Sequence, residues 1–205
     1  FDVAMSAHLP HQENFGFITY PFIVKSKGEE RFMFDMLKAD ERFVPMFDLE
    51  IIAGRNFSYA VPADTLNVIV NEATLKALQL TPEEAIGQEI GMARGYDDLK
   101  QLQSGKVVGV VKDFPYKSVR ESITPLVLSG YYQGTDVLNV KLSSTNFNET
   151  IAEIEQTWRR IYGGYAFNYW FMDQEFERLY RHERKMARLS NYFTVFTIVI
   201  ACLGL

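Results

Sequence analysis

Apolar and polar residues alternate with a period of two through the first part of the chain. Phe15, Phe17 and Thr19 alternate, as do Phe22 and Val24. A polar turn follows (KSKGEE, Lys25–Glu30, with Gly28), and the alternation resumes at Phe32, Phe34 and Met36. Side chains two apart share a sheet face, so residues 14–36 predict two or three strands. Residues 40–47 (DERFVPMF) predict a short helix or turn that carries Phe43 and Phe47 inward. Gly54-Arg55-Asn56-Phe57 is a break, Val61–Asp64 a loop, and Leu66–Val70 a buried strand.

The period then changes. Asn71 sits where its side chain can accept from free backbone N–H groups, and Glu72 favours the positive end of a helix. Leu75 and Leu78 supply the apolar face. Thr81-Pro82-Glu83-Glu84 is a second helix start, with a capping Thr, Pro at the first position and Glu at the third. Gly87 ends that turn. Strands are expected at 88–92 and 106–112, around a polar loop. The second of these, KVVGVVK, has Gly109 at its centre, which signals a bulge or a close backbone approach. Further strands are expected at Leu126–Leu128 and Val137–Leu142.

Asn146 with Glu149 resembles a capping box. It opens a helix with Ile151, Ile154, Trp158 and Ile161 on one face, stopped by Gly163-Gly164. Residues 166–172 (AFNYWFM) predict a strand. Asp173 caps a last helix, with Phe176, Leu179, Tyr180, Met186 and Leu189 on one side and charges on the other. Strands mixed with helices, ending in helix–strand–helix, give an α+β class.

The end of the sequence is different in kind. Tyr192–Leu205 (YFTVFTIVIACLGL) carries no charge. A bilayer-crossing helix needs about 20 mostly apolar residues. This run is shorter, but it stops with the chain rather than at a polar residue or a turn. Residues 191–205 are therefore read as the start of a transmembrane helix that continues the helix from Asp173.

Composition narrows the function classes. With 47% hydrophobic and 23% charged residues, the remainder is that of an ordinary folded domain. The net charge of −5, with no basic stripe, argues against nucleic acid. The single cysteine, Cys202, lies inside the apolar run, so the globular part has no disulfide or thiolate metal site.

No catalytic constellation emerges. His8 and His11 flank Pro10 without a carboxylate or thiol cluster, whereas a metal site needs three or four convergent ligands. His182 lies among Arg181, Glu183 and Arg184 and reads as solvated. The pairs Glu83-Glu84 and Asp97-Asp98 are adjacent and point apart, so neither forms an acid/base couple. Lys112-Asp113 reads as a strand-ending turn before Pro115, with Asp113 accepting from local backbone N–H groups. No catalytic, cofactor-binding or metal residue is expected. Phe114, Tyr116, Tyr131 and Tyr132, with Pro115, form an aromatic group that is either a partner surface or core.

Several segments in order carry a resemblance. They are FDLEIIA followed by GRNF, VIVNEATLKALQL (Val68–Leu80), AIGQEI (Ala85–Ile90), VVGVVKDFPYKSVRESITPLVL (Val107–Leu128), and DQEFERLYRHERKMARLSNYFTVFTIVIACLGL to the end. The set resembles the MacB/FtsX-like permease subunits of ABC transporters. Specifically, it is similar to the large extracytoplasmic domain between the first two transmembrane helices.

The resemblance implies a two-lobed domain. A porter-like lobe would be built from both ends (1–70 and 136–190), with a sabre-like lobe (71–135) inserted between them. It implies a non-catalytic role: a cytoplasmic ATP-binding cassette hydrolyses ATP, and the domain moves outside in export or mechanotransmission. It also implies a homodimer or paralogous permease, a possible periplasmic adaptor, no cofactor, and an inner-membrane location with this domain in the periplasm. The helix carrying Asp173, Glu177, Arg181, Arg184 and Arg188 would be a mechanical stalk, because an unbroken helix has no hinge to absorb displacement. Glu177 and Arg181 form a favourable i,i+4 pair along it.

One feature opposes this orientation. Arg178, Arg181, Arg184, Lys185 and Arg188 precede the membrane run, and the positive-inside rule favours the cytoplasm for such a flank. Domains of this size nevertheless cross largely regardless of charge. The alternative reading is an extracytoplasmic sensor domain of a membrane receptor, binding a ligand between its lobes.

Overall fold

The computed structural model describes residues 2–7, 18–28, 30–93, 102–117, 122–130, 136–142, 146–172, 193–194 and 197–204. The chain divides into two units, Phe1–Thr145 and Asn146–Leu205.

Among the described residues the first unit holds nine strands: β1 (Asp2–Ser6), β2 (Ile18–Val24), β3 (Arg31–Lys38), β4 (Ile51–Gly54), β5 (Val68–Asn71), β6 (Glu89–Ala93), β7 (Leu102–Val111), β8 (Leu126–Ser129) and β9 (Val137–Lys141). Three short helices interrupt them: α1 (Phe43–Met46), α2 (Glu72–Leu78) and α3 (Pro82–Ala85). Seven strands form one sheet in the order β4-β7-β5-β8-β3-β2-β6. Because β6 also pairs with the first half of β7, the ladder closes into a ring of six strands, with β4 alongside the second half of β7. Closure removes most free edges.

Both faces of this sheet are apolar. In β5, Val68 and Val70 belong to one core cluster, with Phe22, Val24, Phe34, Leu75, Leu78, Ile90, Val107, Val110 and Val127. Ile69 belongs to the other, with Leu37, Phe43, Phe57, Val111, Tyr116, Leu126 and Leu128. The β5 run is continuous because alternate residues serve different cores.

The alternation at Phe32, Phe34 and Met36 falls on one face of β3, as the sequence requires. The polar turn is a 3-10 turn (Lys25–Lys27) closed by Gly28 at φ 72°. Asn71 caps α2 by accepting from Thr74 N, and Thr81 and Glu84 make the complete capping box of α3. Gly109 is a close approach: a Cβ there would lie 2.3 Å from Arg55 O. The expected loop at Val61–Asp64 is instead part of a 3-10 turn, Pro62–Thr65, started by its proline.

The ends of the first unit meet in a separate ribbon. β1 and β9 pair antiparallel, Ala4 opposite Asn139, and Ser6 bridges to Ala39 just past β3. Asn71 is not a boundary of the large sheet, which takes β2–β5 from residues 18–71 and β6–β8 from residues 89–129. Thr135 lies outside the described residues.

The second unit contains α4 (Phe147–Tyr162). Its start departs from the expected capping box. Asn146 has φ −105° and ψ 62°, outside the extended range a capping residue adopts, and its Nδ2 instead donates to Glu149 Oε2. After Gly163-Gly164 the expected strand at 166–172 is not formed. The rings of Phe167, Tyr169 and Phe171 meet at a spacing of two, the side-chain period of a strand, the first pair stacked and the second edge-on. Among the described residues, however, they join no ladder, and Trp158 packs on Tyr162 and Phe167 instead.

Residues 193–194 and 197–203 are helical, and Phe193, Ile198, Val199, Ile200 and Leu203 are exposed. No helix among the described residues is long and apolar enough to cross a membrane.

Candidate functional site

A buried polar cluster in the first unit is built around Asp35. β3 carries apolar side chains on both faces, so an aspartate in its middle is buried whichever way it points. The Asp35 side chain is 5% exposed. Oδ1 accepts from Thr19 Oγ1 of β2 at 2.8 Å. Oδ2 accepts from Tyr116 OH, Thr124 Oγ1 and Lys117 Nζ, each at 2.7 Å. A buried charge is tolerable only when paired and hydrogen-bonded, and this one is both. Burial pushes the Asp35 carboxyl up. The donors outweigh that, Lys117 first, then Tyr116, Thr124 and Thr19, and hold it below its ordinary value.

Tyr116 completes the cluster from the other side. It is 1% exposed, its ring in the second core and its hydroxyl on Asp35 and close to Thr124 Oγ1. Burial drives its phenol far above the usual range; Thr124 opposes this and Asp35 adds to it. Tyr116 is therefore core rather than partner surface. Phe114 is half-buried and packs near Tyr116, 5.8 Å between ring centres. Tyr131 and Tyr132 lie outside the described residues, as do the stalk positions Asp173, Glu177, Arg181, Arg184 and Arg188, and His8, His11 and His182.

A second cluster lies at the start of α2. Asn71 Oδ1 accepts from Thr74 N and from Leu126 N, and its Nδ2 donates to Thr124 O. Asp113 N donates to Glu72 Oε2, and Asp113 Oδ1 accepts from Ala73 N. β7 ends at Val111, but Lys112-Asp113 form no turn, and the backbone N–H that Asp113 accepts from is that of Ala73 in α2 rather than a local one. A third cluster fixes the loop after β4, where Arg55 forks onto Asp64.

These clusters join strands and loops; they do not present reactive groups. Both carboxylate oxygens of Asp35 accept from donors of the protein. The groove beside α2, lined by Ile52, Glu72, Leu75, Lys76, Gln79 and Thr81, is shallow and open. Among the described residues no three of His, Cys, Asp or Glu gather as metal ligands. Sequence reasoning passed over Asp35, Arg55 and Asp64. The available signal for Asp35 was its strand: apolar neighbours on both faces of RFMFDML bury whatever stands among them.

No protein-family model matches the chain, and no curated protein matches it. Solved structures do. The chain is similar to the periplasmic region of MacB from Actinobacillus actinomycetemcomitans, at 18% identity over 78% of this chain and 67% of that one, TM-score 0.50. It is similar to the extracellular domain of the noncanonic ABC-type transporter YknZ from Gram-positive bacteria, at 13% identity over 79% and 76%, TM-score 0.52. A domain of a putative permease protein from Porphyromonas gingivalis also matches, at 15% identity over 77% and 68%, TM-score 0.49. The chain has the fold of a MacB-like extracytoplasmic domain. In this MacB-like fold the polar clusters tie the segments between strands to the sheet, and the aspartates serve cohesion.

Proposed function

We propose that this chain is the extracytoplasmic domain of an ABC transporter permease, and that it couples cytoplasmic ATP hydrolysis to conformational change outside the membrane. The likeness of fold to two transporter domains carries this reading. The ordered motifs from GRNF to the apolar run support it. The domain itself is non-catalytic. ATP binds to a cassette subunit or domain, and the permease works with a second copy or a paralogue, with or without a periplasmic adaptor. The cell inner membrane holds the protein, with this domain on the periplasmic side. Residues 191–205 begin a transmembrane helix.

The stalk is the mechanical element. Residues 173–190 carry charges on one side (Glu177, Arg181, Arg184, Arg188) and lead without a proline or glycine into the apolar run. A helix without a break transmits displacement along its axis. Insertion of Gly-Gly after Arg184 in the intact permease, assayed with its ATPase, tests this. The insertion is expected to abolish ATP-dependent transport while thermal unfolding of the domain is unchanged. Unchanged transport would refute the stalk.

A further inference from the structure

The two segments that flank residues 118–121 are not strands. Lys112–Lys117 leaves β7, and Ser122–Pro125 leads into β8. Neither runs in a ladder, yet each reaches the same carboxylate oxygen. Lys117 Nζ and Tyr116 OH come from the first arm, and Thr124 Oγ1 from the second, all onto Asp35 Oδ2 at 2.7 Å. The outer ends are tied separately. Lys112 N donates to Glu50 O, and Asp113 bonds the first turn of α2. Pro125 O accepts from Asp35 N, and Asn71 holds Thr124 O.

We propose that the arms 112–117 and 122–125 open together as one local unit, and that Asp35 is the latch that holds them shut. Fixed ends, absent ladder bonds and a shared central anchor are what define a segment able to open below the global unfolding transition. The groups facing Asp35 are Thr19 from β2, Tyr116 and Lys117 from the first arm, and Thr124 from the second. Lys117 is the one charged partner it contacts among the described residues. Asp113, on the same arm, bonds α2. Release of the latch lets Tyr116 leave the second core, exposing the apolar surface beneath its ring. This holds whether or not the transporter reading is right, because it rests on the first unit alone.

Hydrogen exchange of the full 205-residue chain at pH 7, resolved by residue, tests the proposal. In Asp35→Asn, the amides of Asp113, Phe114, Tyr116, Lys117, Ile123 and Thr124 are expected to exchange about tenfold faster or more, and those of Val68–Val70 and Val107–Val111 within about twofold of the original. Equal acceleration everywhere would mean that Asp35 only adds global stability. No acceleration would mean that it holds nothing shut. Either result overturns the proposal.

Lys117→Met keeps the test decisive if Asp35→Asn does not fold. It alters the first arm only, but a shared latch requires Ile123 and Thr124 to speed up with Asp113–Lys117. Acceleration confined to the first arm would overturn the claim of a single unit.

Discussion

Arg55 grips Asp64 with both terminal nitrogens, Nη1 to Oδ2 at 2.6 Å and Nη2 to Oδ1 at 2.9 Å. The Asp64 side chain is 1% exposed and also accepts from Ser58 N and Asn67 Nδ2. Planar two-point pairing of this kind is what guanidinium does and ammonium cannot. Arg55 is half-exposed, so losing Asp64 strands no buried charge; what is lost are hydrogen bonds to a carboxylate, which contribute about 1.5–3 kcal/mol. Asp64→Ala is therefore expected to lower unfolding stability by about that amount in urea titration. Arg55→Lys is expected to lie between it and the original protein, since the fork is lost and the charge kept. Equal stability of Arg55→Lys and the original would show that the fork's geometry contributes nothing.

Tyr116→Phe separates the hydroxyl from the ring. The ring stays in the core, and one donor to a buried carboxylate is lost. Hydrogen bonds to charged groups contribute about 1.5–3 kcal/mol. Tyr116→Phe is expected to destabilise by that range, and Tyr116→Ala by more, because a cavity is added. A neutral Tyr116→Phe would mean that Thr124 and Lys117 already satisfy Asp35.

Stability should fall in acid for a stated reason. The Asp35 and Asp64 carboxyls both lie below their ordinary values in the folded protein. For Asp64 the Arg55 pairing is the largest cause, burial opposes it, and Asn67 and Ser58 N add to it. A lowered folded value means that the stabilisation is complete above the unfolded carboxylate value of about 3.9 and disappears as pH drops through the folded one. The urea midpoint is expected to be flat from about pH 8 to pH 5 and to decline below about pH 4. The decline should be shallower in Asp35→Asn and Asp64→Asn. An identical decline in all three proteins would assign acid unfolding to other groups.

Gly109→Ala tests the close approach of β4 to β7. The added carbon would meet Arg55 O at 2.3 Å and Arg55 C at 3.2 Å, both backbone atoms that cannot rotate away. Overpacking of this kind costs about 1–3 kcal/mol, occasionally more. The expected result is destabilisation in that range or above. Gly164→Ala is the contrast, with nothing within 4 Å of its Cβ position.

Local rules read well from the sequence where one residue decides the outcome. Asn71 and Thr81 carry their caps in their own side chains, and the glycine inside KVVGVVK announced the approach of another backbone. Alternation placed Phe32, Phe34 and Met36 on one face. Pairing between distant segments was not legible. Nothing local says that Asp2–Ser6 meets Val137–Lys141, that β6 turns to close a ring with β7, or that Arg55 reaches Asp64 rather than solvent. For Tyr116 the sequence favoured core but left a partner surface open, since an aromatic cluster after a strand fits both. The third dimension decided, through Asp35, a residue the one-dimensional pattern treats as an interruption. At 166–172 the strand pattern is present in the rings, but a strand also needs a neighbour, which no residue of its own supplies.

The central proposal is that ATP hydrolysis in the cytoplasm moves this domain on the far side of the membrane. The direct measurement is the distance between spin labels on two copies of the intact permease, reconstituted in membranes with its ATPase. One label per copy would sit at Lys112→Cys, a side chain 60% exposed just past β7, with Cys202 and any cysteine elsewhere in the intact permease replaced by serine. The account predicts a distance distribution that shifts between the nucleotide-free and ATP-bound states and returns after hydrolysis. Identical distributions in every nucleotide state, while the ATPase turns over normally, would contradict it.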